Sequence, residues 1–302
     1  MPIEVAMSGT PEWLAARSTG IGASEAAAVC GLSSYETPLH VYARKVGELA
    51  EKDDTDAMWW GRKIEPLILE RWLQKREEAG HHSVCSYPCP MYRRDGFAFQ
   101  TATPDAMFGA IGEGVEIKST TWRRAGELGA EGTDEAPAEW VLQCQQAMAV
   151  CGLDAMYLVV LIDKDRIWEG RVERNEALIE RITAAESELW DRIQRRDPPE
   201  PSWQHDSTPD LIKTLSRAVN DEVIELPGEV AELWTRQKEL AQQIKTLETE
   251  RELCRSKVAF ALGNAGTGVG ESIQLVRSMV KETVVPSFVR KGYVTIREVK
   301  QK

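Results

Sequence analysis

Thr103-Pro104-Asp105 is followed, after ten further residues, by Glu116-Ile117-Lys118. The aspartate closes one short run rich in aromatic and β-branched residues, and the Glu-x-Lys lies in the next. Side chains of a strand alternate between its faces, so Glu116 and Lys118 share one face while Ile117 turns into the core. Two carboxylates and an ammonium converging on a hairpin are electrostatically costly unless a cation sits between the acids. Oxygen-only donors at that spacing suit Mg2+, which keeps several waters and takes one or two carboxylates plus a substrate phosphate. The lysine could then orient or deprotonate the attacking water and hold the phosphate. That chemistry is metal-assisted phosphodiester hydrolysis. Three such residues on a hairpin are ordinary in isolation, so the surrounding sequence decides.

The elements that must position this set are readable from spacing. From Pro11 to about Arg76 the chain reads as helical. Glu12 to Arg17 is a short helix, and Ser24 to Cys30 a second, closed by Gly31. Pro38 to Lys45 is a third, with proline in its first turn. Ala57 to Arg76 places Ile64, Leu67, Ile68, Arg71 and Trp72 at steps of three and four, an amphipathic helix. After Gly80 come short strands over 83–92 and 96–103, and 106–110 and 115–119 flank a hairpin break at Ile111-Gly112-Glu113-Gly114. A helix from Pro137 to Cys151 and a buried strand from Ala155 to Ile162 complete a central mixed sheet flanked by helices, an α/β (α+β) fold.

Asp197-Pro198-Pro199-Glu200-Pro201 reads as a linker, which divides the chain into a domain over 1–200 and an accessory region over 201–302. Beyond it, Val230, Leu233, Gln237, Leu240, Ile244, Leu247, Arg251, Cys254 and Val258 alternate in steps of three and four. That is an a/d stripe on a helix of about 34 residues, which serves core packing as readily as pairing. Gly263 to Gly270 is glycine-rich but carries no Lys-Ser/Thr pair, so it is a turn rather than a phosphate loop. Ser272 to Val299 reads as a small β-meander. From Lys281 to the end there are six Lys or Arg and two acids, a local +4.

Composition bounds the function. Lys and Arg number 37 against 48 Asp and Glu, a net charge of −11, so any nucleic-acid contact must come from a local basic patch. No apolar run approaches the roughly 18 residues of a membrane span, and the start lacks a signal-peptide pattern. Six cysteines over 302 residues make no disulfide scaffold. His81-His82-x-x-Cys85-x-x-x-Cys89 fits no common zinc spacing, and the scattered cysteines argue against an iron–sulfur cluster. These features predict a cytosolic protein.

Asp105 with Glu116-Ile117-Lys118 resembles the PD-(D/E)xK nuclease motif. Residues 10 to about 165 as a whole resemble the phage-type exonuclease family that includes lambda exonuclease and the YqaJ-like viral recombinases. The supporting blocks stand in the family's order. They are Arg17 to Glu25, Gly31-Leu32-Ser33-Ser34-Tyr35 with Pro38 to Tyr42, Gly61-Arg62-Lys63-Ile64-Glu65-Pro66, the nuclease motif, and Trp140-Val141-Leu142-Gln143-Cys144-Gln145 leading to Val150-Cys151-Gly152-Leu153. Each block is weak to moderate; their order over half the chain is specific.

The resemblance implies a restriction-endonuclease-like core and a set of roles. Asp105 and Glu116 hold metal together with the main-chain carbonyl of Ile117, and Lys118 activates water. Glu65 helps bind a second Mg2+ or its water, with Mn2+ able to substitute. Gln143 orients substrate or water. Arg17 and Ser24 bind the 5′-phosphate of a DNA end, an idea consistent with a guanidinium and a hydroxyl at helix N-terminal amides. Trp140 stands where the family often has tyrosine. Arg17, Arg62, Lys63, Arg123 and Arg124 are candidates to line a DNA channel. The implied activity is 5′→3′ degradation of one strand of double-stranded DNA from its ends, of alkaline-exonuclease type, in phage-type recombination. The implied partner is a single-strand annealing protein (RecT- or Redβ-like), the implied assembly a ring-shaped homotrimer, and the setting a bacterial host's cytoplasm with a phage or prophage gene. The competing readings are a structure- or site-specific endonuclease on the same core and a non-catalytic DNA-end-binding scaffold.

Overall fold

Eight consecutive residues, Ala155 to Ile162, are apolar, and seven of them are buried. A strand with apolar side chains on both faces must be covered on both, and the architecture follows from that requirement. The computed structural model describes residues 2–50, 55–82, 84–109, 112–216 and 223–276. The chain divides into two compact units, Met1–Arg217 and Ala218–Lys302.

The first unit begins with β1 (Ile3–Met7), α1 (Pro11–Ser18) and β2 (Ile21–Gly22). A 3₁₀ turn, Ala23–Glu25, runs into the four-residue α2 (Ala26–Val29), and α3 (Pro38–Lys45) and α4 (Asp56–Glu78) follow. Thr10 and Thr55 cap α1 and α4 by accepting from the amides of Trp13 and Met58. Pro66 inside α4 has no N–H for the Arg62 carbonyl, so the helix lacks one bond beside Glu65. Next come β3 (Pro90–Arg94), β4 (Phe97–Ala102), β5 (Ala106–Phe108), β6 (Glu113–Thr120), α5 (Ala138–Cys151), β7 (Ala155–Ile162), β8 (Arg166–Glu173), α6 (Glu176–Arg195) and α7 (Thr208–Leu215).

The strands form two four-stranded sheets, ordered β1-β3-β4-β2 and β5-β6-β7-β8. In the second, β6 and β7 run parallel from Glu113↔Ala155 to Thr120↔Ile162, with α5 as the crossover. The hairpin of β5 and β6 and that of β7 and β8 are antiparallel. Met156, Leu158 and Val160 pack with Trp140, Cys144 and Met148 of α5. Tyr157 and Val159 pack with Val115, Ile117 and the α4 residues Ile68, Leu69 and Trp72 on the opposite face. The mixed α/β class is thus realised as one sheet between α4 and α5, beside a second smaller sheet.

The rims of the second sheet are covered. Residues 129–133 lie along β8, where Gly132 N donates to Glu169 O (2.8 Å) and Arg171 N to Thr133 O (3.2 Å). Gly170 is required there, because a Cβ would come within 2.6 Å of the Thr133 carbonyl. On the far side Ser86 exchanges both backbone hydrogen bonds with Met107 of β5.

Strands β1 and β8 and helices α6 and α7 lie outside the elements read from sequence. The Pro-rich segment 197–201 sits within the first unit. Beyond it His205 reaches the Ser33 carbonyl (2.9 Å), and Leu211 of α7 joins Leu39, Val41, Tyr42, Leu189 and Ile193 in one cluster. The boundary between units therefore falls at 217/218, past the expected 200/201.

The second unit contains α8 (Gly228–Leu262), 35 residues with none buried, ended by Gly263 at φ +56°. A hairpin of β9 (Thr267–Val269) and β10 (Gln274–Val276) follows. Strand β9 thus falls in the glycine-rich segment read as a turn, and only β10 lies in the expected meander; the rest of that meander, and the basic tail from Lys281, lie outside the described residues. Among the described residues no helix is long and apolar enough to cross a membrane.

Candidate active site

The register of β5 on β6 builds the site. Ala106 pairs with Val115, which sets Asp105 opposite Glu116. Asp105 N donates to Val115 O (3.1 Å), and Ile117 N returns a hydrogen bond to Asp105 Oδ2 (2.6 Å). Ile117 is buried among apolar residues on the α4 side, so Glu116 and Lys118 face α5. There Lys118 Nζ lies 2.7 Å from Glu116 Oε1 and 2.9 Å from Gln143 Oε1. Gln143 Nε2 donates to the same Glu116 oxygen at 2.6 Å. Acid, base and amide form a closed triangle across two elements.

Electrostatics reflects the crowding. Asp105 is held well above the ordinary carboxylate range, first by burial, then by Glu116 and Glu65, with Lys118 opposing. Glu65, on α4, is raised by burial and by Glu116; Lys118 and a hydrogen bond from Tyr87 pull the other way. Burial disfavours the Lys118 ammonium, but Glu116 and its hydrogen bond outweigh it and hold the lysine above its ordinary value.

Among the described residues no three His, Cys, Asp or Glu side chains stand ready-made around one point. Lys118 and Gln143 instead engage the Glu116 oxygen. The donor chemistry is nonetheless that of a hard cation: Asp105, Glu116, Glu65 and the Ile117 carbonyl are all oxygen, and Glu116 and Glu65 both disfavour charge on Asp105. These residues fit Mg2+ in kind.

Tyr87 is the residue that sequence reading missed. Its hydroxyl bonds Glu65, and its ordinary acidity is weakened by burial and then by Glu65 and Asp105. The neighbouring Ser86 is stitched to Met107 and also accepts from Cys89 Sγ (3.4 Å), which fixes the segment beside the site. The contact joins residues 22 apart in irregular chain, where no periodicity marks it. The one available signal was a tyrosine wedged between Cys85-Ser86 and Pro88 just before the strands that carry the site.

The other glutamines near the motif have structural work. Gln145 bonds Glu173 O (2.7 Å) and Asn175 N (2.9 Å), and the fully buried Gln146 donates to Ile21 O (3.1 Å). Trp140 is a core residue, with the Arg124 guanidinium 5.2 Å from its ring centroid. Arg124 also engages Glu139 and Tyr35, so this channel candidate ties three segments together.

Arg17 and Ser24 do come together, with Nη2 to Oγ at 3.3 Å. Ser24 stands in the 3₁₀ turn and the following helix has only four residues, so the expected contribution of a helix N-terminus is absent here. Cationic groups gather instead. Lys45 Nζ bonds both Arg17 O and the buried Glu25 carboxylate, each at 2.9 Å, and Glu25 Oε2 accepts from Gly22 N (2.9 Å). Trp13 links this cluster to the chain just before Asp105. The Trp13 indole lies under Arg17 and donates to Thr103 Oγ1 (3.2 Å), two residues before Asp105.

Residues 12–154 match the family model of the YqaJ-like viral recombinase domain. This segment belongs to the YqaJ family. The uncharacterized protein YqaJ of Bacillus subtilis (strain 168) is 26% identical over 254 residues, 78% of this chain and 76% of its own. Among solved structures, the chain is similar to an alkaline exonuclease (LHK-Exo) from Laribacter hongkongensis, at 22% identity over 62% of this chain and 94% of that one, with a TM-score of 0.49. It is also similar to a phage related exonuclease from Haemophilus somnus 129PT, at 13% identity over 59% and 96%, with a TM-score of 0.43. The YqaJ match spans every site residue named above, from Trp13 to Gln143.

Proposed function

We propose that the chain is a Mg2+-dependent exonuclease that degrades one strand of double-stranded DNA, 5′→3′, from its ends. The observation that carries the reading is the Asp105–Glu116 pair set across the β5–β6 hairpin, with Lys118 clamped by Glu116 and Gln143, inside a YqaJ-family domain.

Bound at Asp105, Glu116 and the Ile117 carbonyl, with Glu65 at a second position, Mg2+ would neutralise the developing phosphoryl charge and lower the pKa of a water. The chain's own groups do the rest. Lys118 Nζ, released from Glu116, has a proton to offer a phosphate oxygen or a place to orient the attacking water. Gln143 keeps that ammonium aimed, and Tyr87 holds Glu65. Arg17 and Ser24 would receive a terminal 5′-phosphate, the guanidinium supplying two parallel donors. An acidic exterior is compatible with a basic DNA path. A single-strand annealing protein is the fitting recipient of the product strand, in the cytoplasm of a phage-bearing host, and a ring of three chains would keep the enzyme on its duplex.

The experiment is digestion of end-labelled, 5′-phosphorylated linear duplex and of closed circular DNA, with and without Mg2+. The expected result is metal-dependent release of nucleotides from linear ends and none from circles. Nicking of the circle would favour an endonuclease, and end binding without hydrolysis would favour a scaffold.

A further inference from the structure

Helix α8 carries an apolar stripe that no described residue buries. Leu233, Leu240, Ile244 and Leu247 are each at least 41% exposed. In heptad terms Val230, Gln237, Ile244, Arg251 and Val258 take position a, and Leu233, Leu240, Leu247 and Cys254 take position d. A helix of about 50 Å, at 1.5 Å per residue, draws its stability mainly from pairing such a stripe.

The charges beside the stripe select the partner. The g positions are Glu229, Arg236, Gln243, Glu250 and Lys257. In an antiparallel pair, g residues face g residues. Two copies of α8 aligned with Gln243 against Gln243 bring Glu229 opposite Lys257 and Arg236 opposite Glu250, each contact twice by the two-fold axis. Sliding one helix by a heptad sets Glu229 against Glu250 in one direction and Arg236 against Lys257 in the other. A parallel pair offers only Glu250 with Arg255. The matched register also stacks Val230 on Cys254 and Leu240 on Ile244. It lays Leu233 and Leu247 along the aliphatic stems of Arg251 and Gln237. A groove of about 490 Å³ lined by Cys254, Val258, Leu262 and Val276 lies where Val230 of the second copy arrives. Arg236 now bonds Glu239 at 3.1 Å, an exposed pair that exchanges at little cost.

From this we infer that α8 forms an antiparallel two-stranded coiled coil with a second copy of this chain, in the register centred on Gln243. The contact is isologous, so it doubles whatever assembly the rest of the chain makes, and it does not depend on the nuclease reading.

Sedimentation equilibrium of the full chain at low salt tests it, with circular dichroism to verify helix content. The wild type should show the doubling. Arg236→Glu or Glu250→Arg alone turns two attractions into repulsions and should weaken it about tenfold; the two together should restore it. Gln243→Cys in a Cys254→Ser background should be joined to its counterpart by a short bis-maleimide. No doubling, indifference to the reversals, or a stripe shielded from solvent labelling within a single chain would overturn the proposal. Ready oxidation of Cys254 to a Cys254–Cys254 disulfide would overturn it too, because only a parallel pair sets those d positions side by side.

Discussion

Glu186 of α6 is fully buried and accepts a 2.6 Å hydrogen bond from Gln100 on one oxygen, while its other oxygen has no partner among the described residues. Burial is the main reason its pKa is pushed up to about 8; Glu25 adds to the rise, and the Gln100 bond and the nearby Arg94 oppose it. The folded chain therefore keeps a proton on Glu186 between the ordinary value of 4.5 and about 8, where the unfolded chain has lost it. Stability from this group is complete below 4.5 and falls as pH rises toward 8. At about 1.36 kcal/mol per pH unit, a slope that halves by about pH 8 where the group is half-ionised, the loss between pH 6 and pH 8 is roughly 2 kcal/mol. Glu186→Gln imitates the protonated form and has nothing to lose. The assay is urea unfolding of wild type and Glu186→Gln at pH 6, 7, 8 and 9. The variant should be less stable or equal at pH 6, through imperfect amide pairing, and should gain on the wild type by roughly 2 kcal/mol by pH 8. A difference between the two proteins that stays constant with pH would refute the buried-proton account.

Further outcomes follow from the site. Asp105→Ala or Glu116→Ala should remove most Mg2+-dependent cleavage while leaving the thermal melt intact, and Lys118→Ala should abolish turnover with DNA binding kept; wild-type-like cleavage by any of them would overturn the assignment. Tyr87→Phe should raise the half-saturating Mg2+ concentration roughly tenfold and change the rate at saturating Mg2+ little, read by metal titration of activity and by calorimetric Mg2+ binding. Arg17→Ala should slow digestion of 5′-phosphorylated duplexes about tenfold to a hundredfold, the loss of a charged hydrogen bond, and leave 5′-hydroxyl duplexes unchanged; equal slowing on both would make Arg17 a general backbone contact. A chain ending at Pro201 should be markedly less stable than one ending at Arg217, because it loses Leu211 and the buried Thr208; equal urea midpoints would show that α7 contributes nothing.

The part of the site that was legible in the sequence is the part made locally. Asp105, Glu116 and Lys118 sit on one hairpin, where strand alternation and a short break fix their relation almost without the rest of the chain. Gln143 was reachable because α5 follows as the crossover and presents one turn to the same face. Tyr87 was not, since its contact with Glu65 is set by the packing of an irregular segment against β5. The difference between Gln143 and Gln145, two residues apart, is a matter of which helix face meets β6 and which meets the β8–α6 turn. The boundary at 217 was hidden for a related reason. Prolines at 198, 199 and 201 report that regular structure stops, and they say nothing of where the chain goes next. Here it returns to lay α7 on the same core. Strand β8 alternates cleanly between buried and more exposed positions, but its charges and Gly170 dilute the apolar signal.

The covering of both rims of the second sheet has a consequence for how copies of this protein can meet. The backbone of β8 is engaged by residues 129–133, and that of β5 by Ser86, so neither offers an open row of amides and carbonyls. A recruited peptide or a neighbouring chain cannot lengthen the sheet by adding a strand at those places, and transient unfolding there would first have to peel away the chain's own strap. Association at these two rims is thereby left to side chains, whose charges and shapes discriminate among partners in a way that a bare strand edge does not.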